Sequence, residues 1–371
     1  MPGALSGIRP SITAGELAWL ATQDDVESRL VFTKRGGDGT RYEVRHGPFP
    51  NDVLSSLPRQ DWTLLVQDVE KHLPDFRALF AVVDFIPDWR IDDLMVSFAA
   101  PGGSVGPHRD NYDVFLCQGE GIREWHLGDK DNVVEDESSN ELSLLQPFAD
   151  RNPQSADEGD VLYLSPGVPH WGLAKDFCMT YSIGMRAPNL AELHAGAARL
   201  FEDLGDVSAK SSVAGVDVFY EDPDLTTDEA IPGLISASAI RRARKTLHKI
   251  ASLDEAKTAM ILGSVVTDPK AWLAPECITD DEAQSKIREL PQDAELTVHG
   301  MARIAYWENE SSGILFANGF ARQASSAELS AFCKLCKIRT ASRNSLCADE
   351  DDSLLHWLLT SGAFDLTEKH G

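Results

Sequence analysis

Strand signals recur at short intervals between Asp93 and Met185 of this 371-residue chain, separated by glycine and proline turns. Closely spaced short strands of this kind are typical of a jelly roll, also called a double-stranded β-helix. In that fold, strands that are far apart in the sequence meet in one barrel. We therefore predict a mostly β core with additional helices, in which residues from remote segments share one site.

Two segments of this region carry candidate metal ligands. His108 and Asp110 are separated by one residue and follow a glycine-rich turn at 101–106. Side chains alternate between the faces of a β-strand, so we predict that this pair lies on one face of one strand. His170 follows a second predicted strand, at 159–164, and supplies a third ligand. Two histidines and one carboxylate on one face of a metal leave coordination positions open, as in non-haem Fe(II) oxygenases.

An arginine near the candidate triad points to the cosubstrate. Arg123 lies on the next predicted strand after the His–Asp pair. Its planar guanidinium can hold a carboxylate at two points, which suits a dicarboxylate cosubstrate. We therefore predict that this site uses Fe(II), O2 and a dicarboxylate cosubstrate. The alternative is a cupin-like scaffold with a vestigial site, but a storage or isomerase cupin would have no need of Arg123.

Further polar residues are candidates for binding the cosubstrate and the substrate. Thr180 and Ser182 alternate onto one face of a core strand, where one of them either supports the cosubstrate or both act as ordinary sheet hydroxyls. Asp93 and Met95 share a face of the strand before the metal motif, and Tyr112 follows that motif. A carboxylate, an aromatic ring and a thioether together form a plausible slot for an arginine side chain. In the alternative interpretation, Asp92 and Asp93 only close a turn or form an ion pair with Arg90.

Three segments resemble the bacterial ribosomal oxygenases, and the likeness is strong over residues 16–190. The segments are PDWRIDDLM (87–95), GGSVGPHRDNYDVFLCQG (102–119) and YSIGMRAPN (181–189). Members of that family are JmjC/cupin-type, 2-oxoglutarate-dependent hydroxylases of an arginine in large-subunit ribosomal protein sixteen.

The resemblance implies a role for each matched residue. His108, Asp110 and His170 fall on the iron ligands, and Arg123 falls on the arginine that binds 2-oxoglutarate. The implied reaction is hydroxylation of an arginine side chain at Cβ. Related JmjC oxygenases hydroxylate histidine or demethylate lysine, and the candidate slot favours a guanidinium without excluding those targets.

The resemblance also implies a division into domains. We predict a JmjC/cupin catalytic domain at 1–190, a helical dimerisation region at 191–275 and a winged-helix-like domain at 276–371, in a homodimer. A winged helix can bind DNA, but no basic recognition helix is evident, so a packing or docking role is predicted. Members of the family usually begin with a segment containing Trp, Lys and Pro ahead of the helix near Thr13. This sequence lacks that segment. In the family, we expect the segment to cover an edge of the sheet.

The composition bounds the partners and the compartment. The net charge is −25, and the pI is about 4.7. This acidity argues against direct nucleic-acid binding and favours a basic partner such as a ribosomal protein, although acidic surfaces also serve solubility. Six scattered cysteines, no secretory signal and no long apolar run predict a cytoplasmic protein without a membrane span.

The Cys333/Cys336 pair is expected to pack in a helix rather than bind zinc, because no second pair follows. The basic run at 241–245 is expected to be the solvated face of a helix, with a nucleic-acid patch as the alternative.

Overall fold

A computed structural model describes most of the chain. It covers residues 1–205 except 6, 8–10, 38, 132, 137–142, 149–152 and 187, then isolated positions between 240 and 248, and 253–364 except 311 and 348–351. The chain divides into two compact units, Met1–Ala187 and Pro188–Gly371. The predicted basic helix at 241–245 lies largely outside the described residues. None of the helices described is long and apolar enough to cross a membrane.

The first unit is built mainly from short strands. Its described helices are α1 (Ala14–Leu20), α2 (Asn51–Ser55) and α3 (Val69–His72), with 3₁₀ helices at Pro74–Val83 and Asp88–Arg90. Its strands are β1 (Ser28–Gly36), β2 (Gly39–His46), β3 (Trp62–Val66), β4 (Ile91–Ala99), β5 (Val114–Glu120), β6 (Arg123–Leu127), β7 (Gln154–Ala156), β8 (Val161–Leu164), β9 (His170–Ala174) and β10 (Cys178–Met185).

Two sheets form the predicted barrel. The larger sheet is antiparallel, in the order β2-β1-β3-β4-β10-β5-β8, and the smaller sheet has the order β7-β6-β9. Leu116 of the larger sheet and Trp125 of the smaller sheet belong to one buried apolar cluster, which joins the two sheets. Strands that are remote in sequence, such as β4 and β10, are hydrogen-bonded neighbours. This arrangement confirms the jelly-roll fold.

The two faces of the larger sheet have different surroundings. On one face, Leu94 and Ile183 pack in a large apolar core with Leu17 of α1 and Phe76 of the first 3₁₀ helix. The opposite face carries the alternate residues of the same strands, including the candidate substrate residue Asp93. One face of the sheet therefore packs in the apolar core, and the other face is available for binding ligands.

The first helix, α1, begins with a capped first turn. Thr13 accepts a hydrogen bond from the Glu16 backbone N–H, and the Glu16 carboxylate accepts one from the Thr13 backbone, so a capping box is present. Leu17 and Leu20 then lie on one buried face. The cap satisfies backbone donors that the first turn leaves free, and the apolar pair fixes α1 against the sheet.

The prediction that His108 and Asp110 lie on one strand is wrong. His108 forms an isolated antiparallel bridge with His170, and Asp110 lies outside any strand. Gly106 has a φ of +88°, which glycine tolerates, and Pro107 has no N–H to donate to a ladder. The segment around His108 therefore forms no continuous strand. His108 itself is joined to His170 by two backbone hydrogen bonds, one in each direction, of 2.9 and 2.8 Å.

The second unit contains helices and small sheets. Its described helices are α4 (Leu190–Gly205), α5 (Glu255–Thr267), α6 (Asp280–Glu289), α7 (Ser326–Ile338), α8 (Arg343–Leu346) and α9 (Ser353–Thr360), with a 3₁₀ helix at Ala271–Leu273. Its strands are β11 (Glu295–Thr297), β12 (Ile304–Glu308), β13 (Gly313–Ala317), β14 (Phe320–Ala324) and β15 (Thr340–Ser342). An Asn318–Gly319 turn joins β13 to β14, and both residues have positive φ. The winged-helix assignment and the boundary at 275 stay predictions.

Candidate metal and cosubstrate site

The bridge between the two histidines brings the candidate metal ligands together. One ligand atom from each of His108, Asp110 and His170 lies within 4.8 Å of the other two. The His170 Nε2 atom is 3.6 Å from a carboxylate oxygen of Asp110, and the two imidazole centroids are 4.3 Å apart. Within the described part of the chain, these are the three His, Cys, Asp or Glu side chains that lie close enough together to hold one metal ion.

Backbone carbonyls orient both imidazole rings. The Nδ1 atom of His108 lies 2.9 Å from the Gly106 carbonyl oxygen, and that of His170 lies 2.9 Å from the Val168 carbonyl oxygen. A carbonyl oxygen only accepts hydrogen bonds, so each Nδ1 carries a hydrogen and donates it. In a neutral ring, Nε2 then keeps its lone pair for a metal ion, as is usual for ligating histidines.

The electrostatics of the three residues suit a bound cation. Burial, with a smaller contribution from the nearby His108, lowers the pKa of His170 to about 3. Burial also raises the pKa of the Asp110 carboxyl, while His108 acts in the opposite direction. A neutral imidazole is the form that coordinates metal, and a divalent cation compensates the charge of a buried carboxylate. The donor set of two nitrogens and one carboxylate oxygen therefore fits Fe(II).

Arg123 lines the same cavity as the three candidate ligands. The residue is only 4% exposed, and its Nε has no hydrogen-bond partner within the described structure. Its neighbours are the Cys178 Sγ atom, 3.7 Å from Nη2, and the ring of Trp125, 5.7 Å from the guanidinium carbon. Neither neighbour neutralises a buried positive charge. The surroundings of Arg123 therefore fit a carboxylate ligand such as one end of 2-oxoglutarate.

The two candidate hydroxyls differ in their environments. Ser182 is buried and lines the cavity. Thr180 instead donates a hydrogen bond of 3.0 Å to the Gln118 side-chain oxygen, and it is absent from the cavity wall that the described residues form. Only Ser182 therefore has the position that a contact with a ligand in this cavity requires.

All three candidate substrate residues line this cavity, which has a volume of about 410 Å³. Asp93 is buried on β4, and Met95 lies two residues further along the same face. Burial raises the pKa of the Tyr112 phenol well above its usual value, and the carboxylates of Asp110 and Asp93 add to the shift. The structure therefore places a carboxylate, a thioether and an un-ionised phenol in the same cavity as the candidate metal ligands.

Sequence reasoning missed part of the cavity wall. Arg29 of β1 and Gln67, which follows β3, also line it, as does Trp125 of β6. Alternation along each strand indicates which of its residues share a face. Alternation does not tell which strands are neighbours, so the contribution of β1 and β3 becomes visible only with the sheet order.

Comparisons with known proteins agree with this architecture. A model of the JmjC domain matches residues 78–193. The ribosomal protein uL16 3-hydroxylase of Escherichia coli is 41% identical over 214 residues, which are 58% of this chain and 53% of that protein. A probable ribosomal oxygenase of Haemophilus influenzae is 34% identical over 241 residues, which are 64% of this chain and 54% of that protein. The chain thus spans about half the length of the curated relatives it matches.

Solved structures extend the similarity to nearly the whole chain. One structure of E. coli YcfD has a TM-score of 0.77 at 29% identity, covering 98% of this chain and 93% of that one. The structure of the ribosomal oxygenase YcfD in complex with cobalt and 2-oxoglutarate has a TM-score of 0.73 at 30% identity, with coverages of 97% and 92%. The fold and the site define a JmjC-domain protein of the cupin type. Within that class, the chain belongs to the bacterial ribosomal oxygenase family.

Proposed function

We propose that the chain is an Fe(II)- and 2-oxoglutarate-dependent dioxygenase that hydroxylates an arginine side chain, at Cβ, in large-subunit ribosomal protein sixteen. The observation that carries this proposal is the shared cavity, in which a His–Asp–His group and an unneutralised buried arginine lie together. A relative named as a uL16 3-hydroxylase supports the ribosomal substrate. Such a substrate implies a cytoplasmic location, and the net charge of −25 suits a basic partner.

Each residue has a definite task under this proposal. His108, Asp110 and His170 would hold the metal ion, and Arg123 would pair with the distal carboxylate of 2-oxoglutarate. When bound, iron and 2-oxoglutarate supply the activation of O2, with succinate and CO2 as coproducts and one oxygen atom inserted into a C–H bond. The apolar residues Val114, Leu116 and Trp125 of the cavity wall would help to shield the reacting groups from water.

Three further residues of the cavity wall would form the substrate slot. Asp93 would pair with the substrate guanidinium, Tyr112 would stack on it, and Met95 would line the aliphatic stem. Ser182 is the better-placed hydroxyl for a cosubstrate contact, and Thr180 would act through Gln118. The homodimer and the dimerisation role of 191–275 rest on the family resemblance. We also propose that direct nucleic-acid binding plays no part in the function.

Mass spectrometry of a uL16 fragment tests the reaction and the substrate together. The full chain is incubated with Fe(II), ascorbate, 2-oxoglutarate and a synthetic arginine-containing fragment, beside His108→Ala and the control His194→Ala, an exposed histidine on α4. We expect one added oxygen atom on the arginine with the unmodified chain and the control, and none with His108→Ala. Consumption of 2-oxoglutarate without peptide oxidation would show an active oxygenase whose target is a different residue. No consumption would favour the scaffold alternative.

A further inference from the structure

Two polar residues outside the proposed arginine slot lie on the same sheet face as that slot. Arg29 on β1 pairs with Leu65 on β3, and Leu65 pairs with Ser97 on β4. Directly opposed residues share a face of a sheet, as do residues two apart along one strand. Gln67 and Asp93 therefore lie on the face that carries Arg29. All five residues line the cavity, which extends from the candidate metal ligands across β4 and β3 to β1.

Arg29 and Gln67 both have unused hydrogen-bonding capacity. The Nε of Arg29 and the Oε1 of Gln67 are buried and have no hydrogen-bond partner within the described structure. No described carboxylate forms an ion pair with Arg29, whereas Arg35 on the same strand and Arg45 on the neighbouring strand β2 each have one. Buried polar groups normally have partners, so a donor and an acceptor left unused in a cavity wall indicate that a ligand supplies them.

Arg29 lines the same cavity as Asp93 and Tyr112 of the proposed arginine slot. Its positive charge makes it unsuitable for holding the guanidinium of a substrate arginine, which would be repelled. The group that Arg29 binds must offer a hydrogen-bond acceptor.

We propose that Arg29 and Gln67 form a second substrate subsite, which binds a main-chain peptide group next to the target side chain. Arg29 donates to the peptide carbonyl oxygen, and Gln67 accepts from a peptide N–H. In an extended chain, the N–H and C=O of one residue point to the same side, so one residue can use both partners. The inference rests on the proposed function and adds to it a device that recognises the peptide rather than the free amino acid.

Steady-state kinetics of the full chain on the uL16 fragment tests this subsite. The variants are Arg29→Gln and Gln67→Met, and the control is Arg41→Gln, an exposed arginine on β2 outside the cavity wall. We expect the KM for the peptide to rise about tenfold in each variant, the usual effect of losing one such hydrogen bond. Because the main chain is held equally before and during the reaction, kcat should stay the same. The KM for 2-oxoglutarate should also stay the same, which a general structural defect would not allow.

A modified peptide tests the same contact without any change to the protein. Esters replace single peptide bonds at positions on either side of the arginine, so that one N–H is removed at a time. We expect one ester to raise the KM of the unmodified chain about tenfold and to have no such effect on Gln67→Met.

The possible outcomes separate this inference from the proposed function. If the unmodified chain oxidises the peptide while both variants keep a KM within twofold and no ester matters, the subsite is wrong and the function stands. If Arg29→Gln changes the KM for 2-oxoglutarate instead, Arg29 belongs to the cosubstrate site and the inference is also wrong. Absence of peptide oxidation by the unmodified chain overturns the proposed function, and the subsite with it.

Discussion

Replacing Arg123 is the sharpest test of the cosubstrate site, because this side chain is 4% exposed and has no carboxylate partner within the described structure. Bulk water therefore screens little of its interaction with a bound carboxylate. Removing one partner of a buried, hydrogen-bonded charge pair costs about 2–5 kcal/mol. For Arg123→Met, the dissociation constant of 2-oxoglutarate should accordingly rise from about 30-fold to several thousand-fold.

A lysine at position 123 gives an intermediate result. It keeps the charge but loses the second arm of the guanidinium fork, and one charged hydrogen bond contributes about 1.5–3 kcal/mol. The dissociation constant for Arg123→Lys should therefore rise about 10- to 150-fold. The ligand-free Arg123→Met protein should unfold at no lower temperature than the unmodified chain, because the substitution also removes a buried charge that the protein itself does not neutralise.

Titration calorimetry of 2-oxoglutarate into Mn(II)-loaded protein measures these constants without turnover. The exposed Arg41→Gln variant is the control, and Mn(II) binding is measured separately for every variant. A dissociation constant within threefold of the unmodified value for Arg123→Met would refute the assignment. A loss of Mn(II) affinity would show instead that Arg123 supports the metal ligands.

Two further predictions concern the substrate slot and the metal ligands. Asp93→Ala should abolish most peptide hydroxylation while metal and 2-oxoglutarate binding stay unchanged, which parallel calorimetry and mass spectrometry would check; unchanged hydroxylation would place the guanidinium elsewhere. For His170, the folded-state pKa of about 3 lies below the ordinary value of 6.5, so the unfolded chain binds more protons between those values. Its contribution to the stability of the metal-free protein is present above pH 6.5 and is lost as pH falls towards 3, by about 2–3 kcal/mol at pH 4.5. Urea unfolding at pH 7.5 and 4.5 measures this loss, and an equal pH dependence in His170→Gln would contradict it.

Local sequence patterns predicted much of the fold, because they depend on residues close together in the chain. The helix expected near Thr13 depends only on neighbouring residues, and it is present, with a capping box of Thr13 and Glu16. The strands around the metal motif follow from period-two alternation and from the glycine turns. The assignment of His108 and Asp110 to one strand failed because Gly106 and the following proline interrupt the pairing, which alternation alone does not reveal.

The site was predictable only in part, for a related reason. His108 and His170 were matched by residue type, but the backbone bridge that joins them depends on two segments that are remote in sequence. Arg29 and Gln67 carry no motif, and their place in the cavity follows from the order β1-β3-β4 in the larger sheet. Sheet order is a property of the whole fold, so residues that depend on it alone are invisible to local reasoning.

Two glycines allow the cosubstrate site and the substrate slot to be perturbed separately. A Cβ at Gly172 would lie 2.9 Å from the Arg123 Cδ atom and 2.8 Å from the Trp125 ring, both of which are buried. A Cβ at Gly184 would lie 2.8 Å from a carboxylate oxygen of Asp93 and 3.9 Å from the Tyr112 ring. The contacts of 2.8 and 2.9 Å are shorter than those that a packed protein accommodates without movement, so alanine at position 172 must displace Arg123 or Trp125, and alanine at position 184 must displace the Asp93 side chain.

The two variants should therefore weaken the binding of different ligands. Gly172→Ala should raise the dissociation constant of 2-oxoglutarate, and Gly184→Ala should raise the KM for the peptide, each by about 5- to 150-fold for a typical overpacking cost of 1–3 kcal/mol. Thermal unfolding of both variants controls for a general loss of structure, and Mn(II) binding shows whether the metal ligands are intact. If each variant changed both constants equally, Arg123 and Asp93 would not serve different ligands. The assignment of one end of the cavity to the cosubstrate and the other to the substrate arginine would then be wrong.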